Sequence, residues 1–288
     1  MHKSLLPPKS DFVFKRIFGD VRNTDILADF LQSVLTIPVE DYLEVSVVDP
    51  NFTKDYEDDK LGILDVKVRT KSGRTIDVEI QQWAFKNIEE RILFYTSKML
   101  LEQIDEGDNY VKIQQVISIL ITNYPLYGTD TAYHHRFKLH DDENGISFTD
   151  KLEVHTLELT KLPSADDCTR LYEWLKFLKV ETREELDMIA TENPTINKAK
   201  GVLLQMSEDE RARMLYDQRM RYEMDMRALM LDARLEGEAR GEARGEIKGI
   251  AEGKAEVVQI MLRRGKSITD IADDTGLSLS VVQTLIKQ

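Results

Sequence analysis

The stretch Leu61 to Gln82, LGILDVKVRTKSGRTIDVEIQQ, decides the reading of the chain, because it describes two β-strands joined by a tight turn at Lys71-Ser72-Gly73-Arg74. Side chains alternate between the two faces of a strand. Ile63, Asp65, Lys67 and Arg69 therefore share one face of the first strand, and Asp77, Glu79 and Gln81 share one face of the second. Asp65 follows the apolar pair Ile63-Leu64, and Glu79 lies between Val78 and Ile80. Both acids interrupt segments that read as buried, where a carboxylate needs a cation or a hydrogen-bonding partner. Asp77 shares the face of Glu79 but lies nearer the turn, where an exposed acid is ordinary.

Two carboxylates meeting across a strand pair suit Mg²⁺ or a similar hard divalent cation, which takes one or two carboxylates, keeps several waters and leaves positions for phosphate oxygens. Asp65 and Glu79 are the candidate ligands, the Ile80 carbonyl a third, and Gln81 returns to the same face to orient water. A cation there would polarise a phosphodiester and lower the pKa of a bound water. Lys67, two residues after Asp65 on its face, is the candidate charged helper at the phosphate. A lysine on a hairpin strand also serves as a solvated edge residue that discourages aggregation.

Asp65 followed by Glu79-Ile80-Gln81 resembles the D…(D/E)-x-K core of the PD-(D/E)XK nuclease superfamily, and specifically its Rpn-type branch of recombination-promoting nucleases and transposases. Ser10-Asp11-Phe12-Val13-Phe14-Lys15-Arg16-Ile17-Phe18-Gly19 resembles the N-terminal signature of that branch. Glu90-Arg91-Ile92-Leu93-Phe94-Tyr95-Thr96-Ser97-Lys98 is similar to its tyrosine-bearing helix. The resemblance covers roughly the first 160 residues. Leu64 stands where the superfamily has proline, and Gln81 stands where it has lysine, although the branch commonly carries Gln there. The resemblance implies an α/β fold with a mixed sheet flanked by helices. It further implies a Mg²⁺-dependent DNA endonuclease that hydrolyses phosphodiester bonds, linked to recombination or mobile-element biology. Tyr95 would then approach the metal, whereas an aromatic on an amphipathic helix reads equally as core. The contrasting class is a catalytically inert DNA-binding or oligomeric protein that keeps the fold; the intact acids favour the enzyme.

Of the 288 residues 42% are hydrophobic and 32% charged, which describes a soluble chain able to bury a core. A formal charge of −13 argues against a general basic coat for nucleic acid. Local groups such as Lys9, Lys15, Arg16, Lys67, Arg69, Lys71 and Arg74 would still suffice to line a groove. The opening MHKSLLPPKS has too short an apolar segment for a signal peptide, and the longest apolar run, near Val116, is strand-sized, so no membrane partner is expected. The single cysteine, Cys168, forms no internal disulfide and fits a cytoplasmic location. The five histidines lack zinc spacing, and His134 and His135 would face opposite ways on a strand.

Along the chain, Val13, Phe14, Ile17 and Phe18 have helical spacing after Ser10 and before Gly19, and a second helix over 24–35 stops before Pro38. Residues 42–48 read as a strand, 55–60 as an acidic loop, 88–104 as an amphipathic helix, and 116–122, 133–139 and 152–157 as strands. Helices follow over 171–178, 184–190 and 197–205, then a methionine-rich helical stretch over 206–230. These patterns predict a nuclease domain over 1–162, a helical region over 163–231, a repeat helix over 232–257 and a helix-turn-helix-like module over 258–288.

The repeat places Gly237, Gly241, Gly245, Gly249 and Gly253 four apart. Glu238, Glu242 and Glu246 form one stripe, and Arg240, Arg244 and Lys248 another on nearly the opposite side. Each stripe repels itself at i,i+4, and interior glycines weaken a helix, so neighbouring copies are expected to pair acidic with basic stripes in a homo-oligomer. In the last module the second helix offers Ser280, Gln283, Thr284 and Lys287, which suits either DNA or a protein contact.

Overall fold

The computed structural model describes residues 3–42, 46–48, 66–165, 167–189 and 193–286. They fall into two compact units, Met1–Gln218 and Arg219–Gln288.

In the first unit, α1 (Asp11–Phe18) begins after the extended Ser10, whose carbonyl accepts from Phe14 N at 2.8 Å. It ends at Gly19, where a Cβ would lie 2.7 Å from the Lys15 carbonyl oxygen, closer than a side chain tolerates. Its Val13, Phe14, Ile17 and Phe18 are all fully buried, as their spacing demands. Helix α2 (Thr24–Val34) follows. Tyr42, expected to open a strand, instead ends a short 3-10 turn, Val39–Tyr42, from which its hydroxyl donates to the Leu35 carbonyl at 3.2 Å. The strand there is β1 (Ser46–Val48). The acidic loop 55–60 lies outside the described residues.

The expected hairpin is β2 (Val66–Arg69) and β3 (Thr75–Gln81), antiparallel with Val66 opposite Val78 and Lys67 opposite Asp77. Gly73 turns the chain at φ +86°, a region costly for other residues, and its N–H donates to the Thr70 carbonyl at 3.0 Å. Helix α3 (Ile88–Leu101) crosses over to β4 (Val116–Thr122), which runs parallel to β3. Then come β5 (His134–Lys138), the small hairpin β6 (His140–Asp141) and β7 (Ile146–Ser147), and β8 (Leu152–Glu158). Among the described residues six strands form one mixed sheet in the order β1-β2-β3-β4-β8-β5. Strand β2, flanked by β1 and β3, is interior to the sheet, so Lys67 is not on an edge strand.

One face of this sheet (Val66, Val68, Ile76, Val78, Ile80, Ile117, Ile119, Ile121) buries the main core with α1, α2 and α4 (Arg170–Lys179). Phe18 lies at its centre, 4.6 Å from the Phe14 ring, 5.3 Å from Phe30 and 5.5 Å from Trp174. Leu186 of α5 (Arg183–Ile189) and Ile196, Ala199 and Leu203 of α6 (Pro194–Glu208) join the same core. The opposite face carries α3, where Ile88 and Ile92 pack on Leu120. The Thr96 and Ser118 hydroxyls, 2.7 Å apart, pin the helix to β4.

Helix α7 runs from Glu210 to Arg263 and stays helical through the change of texture at Asp232. In the second unit its repeat residues are exposed, and ion pairs in and beside the repeat include Arg234–Glu238, Glu236–Arg240 and Lys248–Glu252. Helices α8 (Ile268–Thr275) and α9 (Leu279–Ile286) complete a small core of Val258, Ile271, Ala272 and Val282. Ser267 and Asp270 form a capping box, and Gly276 turns the chain in a left-handed conformation.

Candidate active site

The face of β3 beneath α3 gathers the acids. Asp77, Glu79 and Gln81 project to this side while Ile76, Val78 and Ile80 enter the main core, so the period of two separates charge from hydrocarbon along one strand. Glu79 is 1% exposed, and its two oxygens differ. Oε1 receives an ion pair from Arg91 Nη2 of α3 at 2.8 Å and a hydrogen bond from Gln81 Nε2. Oε2 is buried and has no hydrogen-bonding partner. Burial pushes the Glu79 carboxyl above its ordinary range; the Arg91 guanidinium, the Gln81 hydrogen bond and Lys15 pull it back.

Asp77, whose place near the turn left its exposure open, is also 1% exposed: β3 lies between β2 and β4 with α3 above it. Its Oδ1 is buried without a hydrogen bond. Burial, then the neighbouring Glu79, raises its carboxyl well above the ordinary range, against Lys67, Arg91 and Lys15. Lys15 comes from α1, where it pairs with Asp11 at 2.9 Å. The N-terminal signature and the hairpin thus act on the same carboxylates through space.

Of the other sequence candidates, Asp65 lies outside the described residues; it precedes Val66, whose partner Val78 precedes Glu79. Lys67 stands across from Asp77 with its Nζ 2.9 Å from Oε2 of Glu102, the residue that caps the C-terminus of α3. The Ile80 side chain lies in the main core, and its backbone is in register with Ile121. Tyr95 is 8% exposed, buried on the inner side of α3 beside Arg91.

Among the described residues, no three His, Cys, Asp or Glu side chains stand together in an arrangement that holds a metal. The donor chemistry nevertheless fits a hard cation. Glu79 Oε2 and Asp77 Oδ1 are buried carboxyl oxygens without hydrogen bonds, on one strand face, a state that costs free energy until a proton or a cation meets it.

Sequence reasoning passed over Arg91. Its signal was available: Gln81 leaves Glu79 without the lysine of the superfamily pattern, and Arg91 lies one turn before Tyr95 and three residues after Ile88, both buried faces of one helix.

A second polar cluster occupies the far side of the sheet. His134 Nε2 is 2.8 Å from His155 Nδ1, and His155 Nε2 is 2.7 Å from Glu153 Oε1. Arg136, Gln115 and Lys138 also reach the Glu153 carboxylate. His135 turns the other way, toward Asp130 at 3.3 Å.

Among the described residues no helix is long and apolar enough to cross a membrane. No curated protein and no solved structure was found to match the chain. Residues 8–233 match the family model of the PD-(D/E)XK nuclease family transposases, a span that runs from the N-terminal signature through the sheet and into α7. With the mixed sheet, the acids of β3 and well over half of the chain in agreement, the protein belongs to the PD-(D/E)XK nuclease family transposases.

Proposed function

We propose that the chain is a Mg²⁺-dependent DNA endonuclease, hydrolysing phosphodiester bonds in recombination or mobile-element biology. The observation that carries this reading is Glu79 itself: a fully buried carboxylate with one oxygen held by Arg91 and Gln81 and the other bare. A carboxylate held at one oxygen keeps its orientation while the second oxygen takes a ligand. Family membership supports a nuclease or transposase-related role for such a site.

In this reading Asp65, Glu79 and the Ile80 carbonyl hold the cation, which supplies Lewis acidity toward the phosphate and a more acidic water. Gln81 fixes Glu79 through its amide N–H and presents its own carbonyl oxygen to orient water. Lys67 offsets the charge of Asp77 and reaches a phosphate only by leaving Glu102. DNA would enter over Lys15, Lys67 and Arg91, a local basic set that the overall charge conceals.

The repeat helix is the proposed contact between copies of the chain. Within 237–248 every i,i+4 pair of charges is like with like, and the five glycines of 237–253 each weaken the helix by about 0.8–1.0 kcal/mol relative to alanine. A neighbouring copy would meet each stripe with the opposite charge, which supports a homo-oligomer.

Cleavage of supercoiled plasmid with Mg²⁺, set against the same reaction with chelator, tests the function. Asp65→Ala and Glu79→Ala should each abolish Mg²⁺-dependent nicking in a folded protein, and Gln81→Ala should reduce it less than either. Full activity in a folded Glu79→Ala variant would sink the assignment.

A further inference from the structure

Gln81 fills the position at which the superfamily pattern has lysine, so this site lacks the usual cation two residues after its second acid. The neighbouring lysines are both paired with acids: Lys67 with Glu102 at 2.9 Å and Lys15 with Asp11 at 2.9 Å. Arg91 is different. One arm of its guanidinium lies 2.8 Å from Glu79 Oε1, while its Nε is buried and donates no hydrogen bond among the described residues. Its central carbon stands 5.6 Å from the Phe85 ring centre and 5.8 Å from that of Tyr95, so two aromatic faces fix the plane of the fork. Its side chain is 17% exposed, so part of it remains accessible to solvent.

A planar guanidinium presents five N–H groups in a rigid fork, and it binds a carboxylate with one edge while offering another to a phosphate oxygen. An ammonium at position 81 would have to choose. We infer that Arg91 supplies the positive charge at the scissile phosphate that lysine supplies elsewhere in the superfamily, while the same side chain steadies Glu79. The inference deepens the nuclease reading and rests on it. Charge on the non-bridging phosphate oxygens grows as water attacks phosphorus and the P–O bond to the leaving oxygen breaks. A fixed N–H donor aimed at those oxygens therefore acts more on the transition state than on the bound substrate.

The experiment compares Arg91→Met, Arg91→Lys and Lys67→Met with the wild-type chain by three measurements: kcat and KM on duplex DNA, DNA affinity in chelator, and the Mg²⁺-induced rise in melting temperature without DNA. Arg91→Met should lower kcat by about 100-fold or more, with KM and DNA affinity within about threefold. Its Mg²⁺-induced thermal shift should be retained, because Glu79 and Asp65 remain. Arg91→Lys keeps an ion pair to Glu79 and folds, yet should regain only part of the rate, since one ammonium cannot serve both groups. Lys67→Met, which removes a cation of the DNA entry path, should weaken DNA affinity and raise KM more than it lowers kcat.

An Arg91→Met or Arg91→Lys rate equal to wild type would overturn the inference, as would a larger loss in Lys67→Met. So would a loss of rate accompanied by loss of the Mg²⁺ shift and reversed by raising Mg²⁺, which would leave Arg91 as a guide for Glu79 alone. A wild-type chain that is stabilised by Mg²⁺ but cuts no DNA would end the nuclease reading itself, and this inference with it.

Discussion

Replacing His134 by glutamine should remove a specific acid sensitivity from the fold. His134 titrates at about 4 rather than its ordinary 6.5, because burial disfavours its charged form and the adjoining His155 and His135 oppose a second positive charge. The unfolded chain therefore binds a proton at His134 in the range where the folded chain does not. The resulting stability is fully present above pH 6.5 and is lost as the pH falls toward 4. A difference of that size corresponds to at most about 3.4 kcal/mol. The imidazole is only partly buried, so screening reduces this to roughly 1–2 kcal/mol.

Glu153 at the other end of the relay behaves in a separate window. Burial would raise its carboxyl, but the hydrogen bonds from His155 and Arg136 outweigh it and hold it at about 2. Its contribution is present above the ordinary 4.5 and disappears only as the pH falls toward 2. Urea unfolding of wild type and His134→Gln at pH 7.0, 5.5 and 4.5 separates the two. The wild-type chain should lose roughly 1–2 kcal/mol more than the variant over that interval, and both should fall together below it. Parallel profiles from pH 7.0 to 4.5 would refute the reasoning.

Other outcomes follow from the packing and the charge pattern. Phe18→Ala opens a hole among Phe14, Phe30 and Trp174 and should cost roughly 3–5 kcal/mol in denaturant unfolding, whereas Phe94→Ala, at a position 61% exposed, should stay within about 0.5 kcal/mol; equal costs would contradict the placement of the core. Changing Arg240, Arg244 and Lys248 together to Glu should dissociate the proposed homo-oligomer in light scattering, and mixing with a Glu238/Glu242/Glu246→Lys variant should restore it. A wild-type chain that is monomeric at high micromolar concentration and low salt would dispose of the stripe pairing.

The hairpin was legible because its signals are local: a period of two, and a glycine at the one turn position that needs positive φ. The helices α1 and α2 were legible for the same reason, since spacing alone picks out the residues that became fully buried. What the residues could not announce is which strands pair. Strands β3 and β4 are separated by α3, and their parallel register is set by that crossover. The burial of Asp77 was not legible on this account, because a position near a turn admits exposure until a helix and a further strand cover it. Arg91 escaped for a related reason: where a long side chain ends depends on how α3 lies across β3, which no periodicity encodes. The sequence expectation of a strand from Tyr42 failed because a tyrosine that donates to the carbonyl at the end of α2 is held in a turn.

The four-residue spacing of the repeat in α7 carries a limit on its own reach. Four residues turn an α-helix through 400°, so each repeat leads the last by about 40°. From Gly237 to Gly253 the stripe winds through about 160° while climbing about 24 Å. A heptad lags the helix and draws partners into a left-handed supercoil; a spacing of four leads it and asks for the opposite, right-handed sense. A straight neighbour can therefore follow one stripe for about three repeats before the charges rotate away from it. The run supplies three acids, Glu238, Glu242 and Glu246, and three bases, Arg240, Arg244 and Lys248. Inserting further copies of the repeat would lengthen the helix without extending a straight contact; only partners wound around one another right-handedly would gain from them.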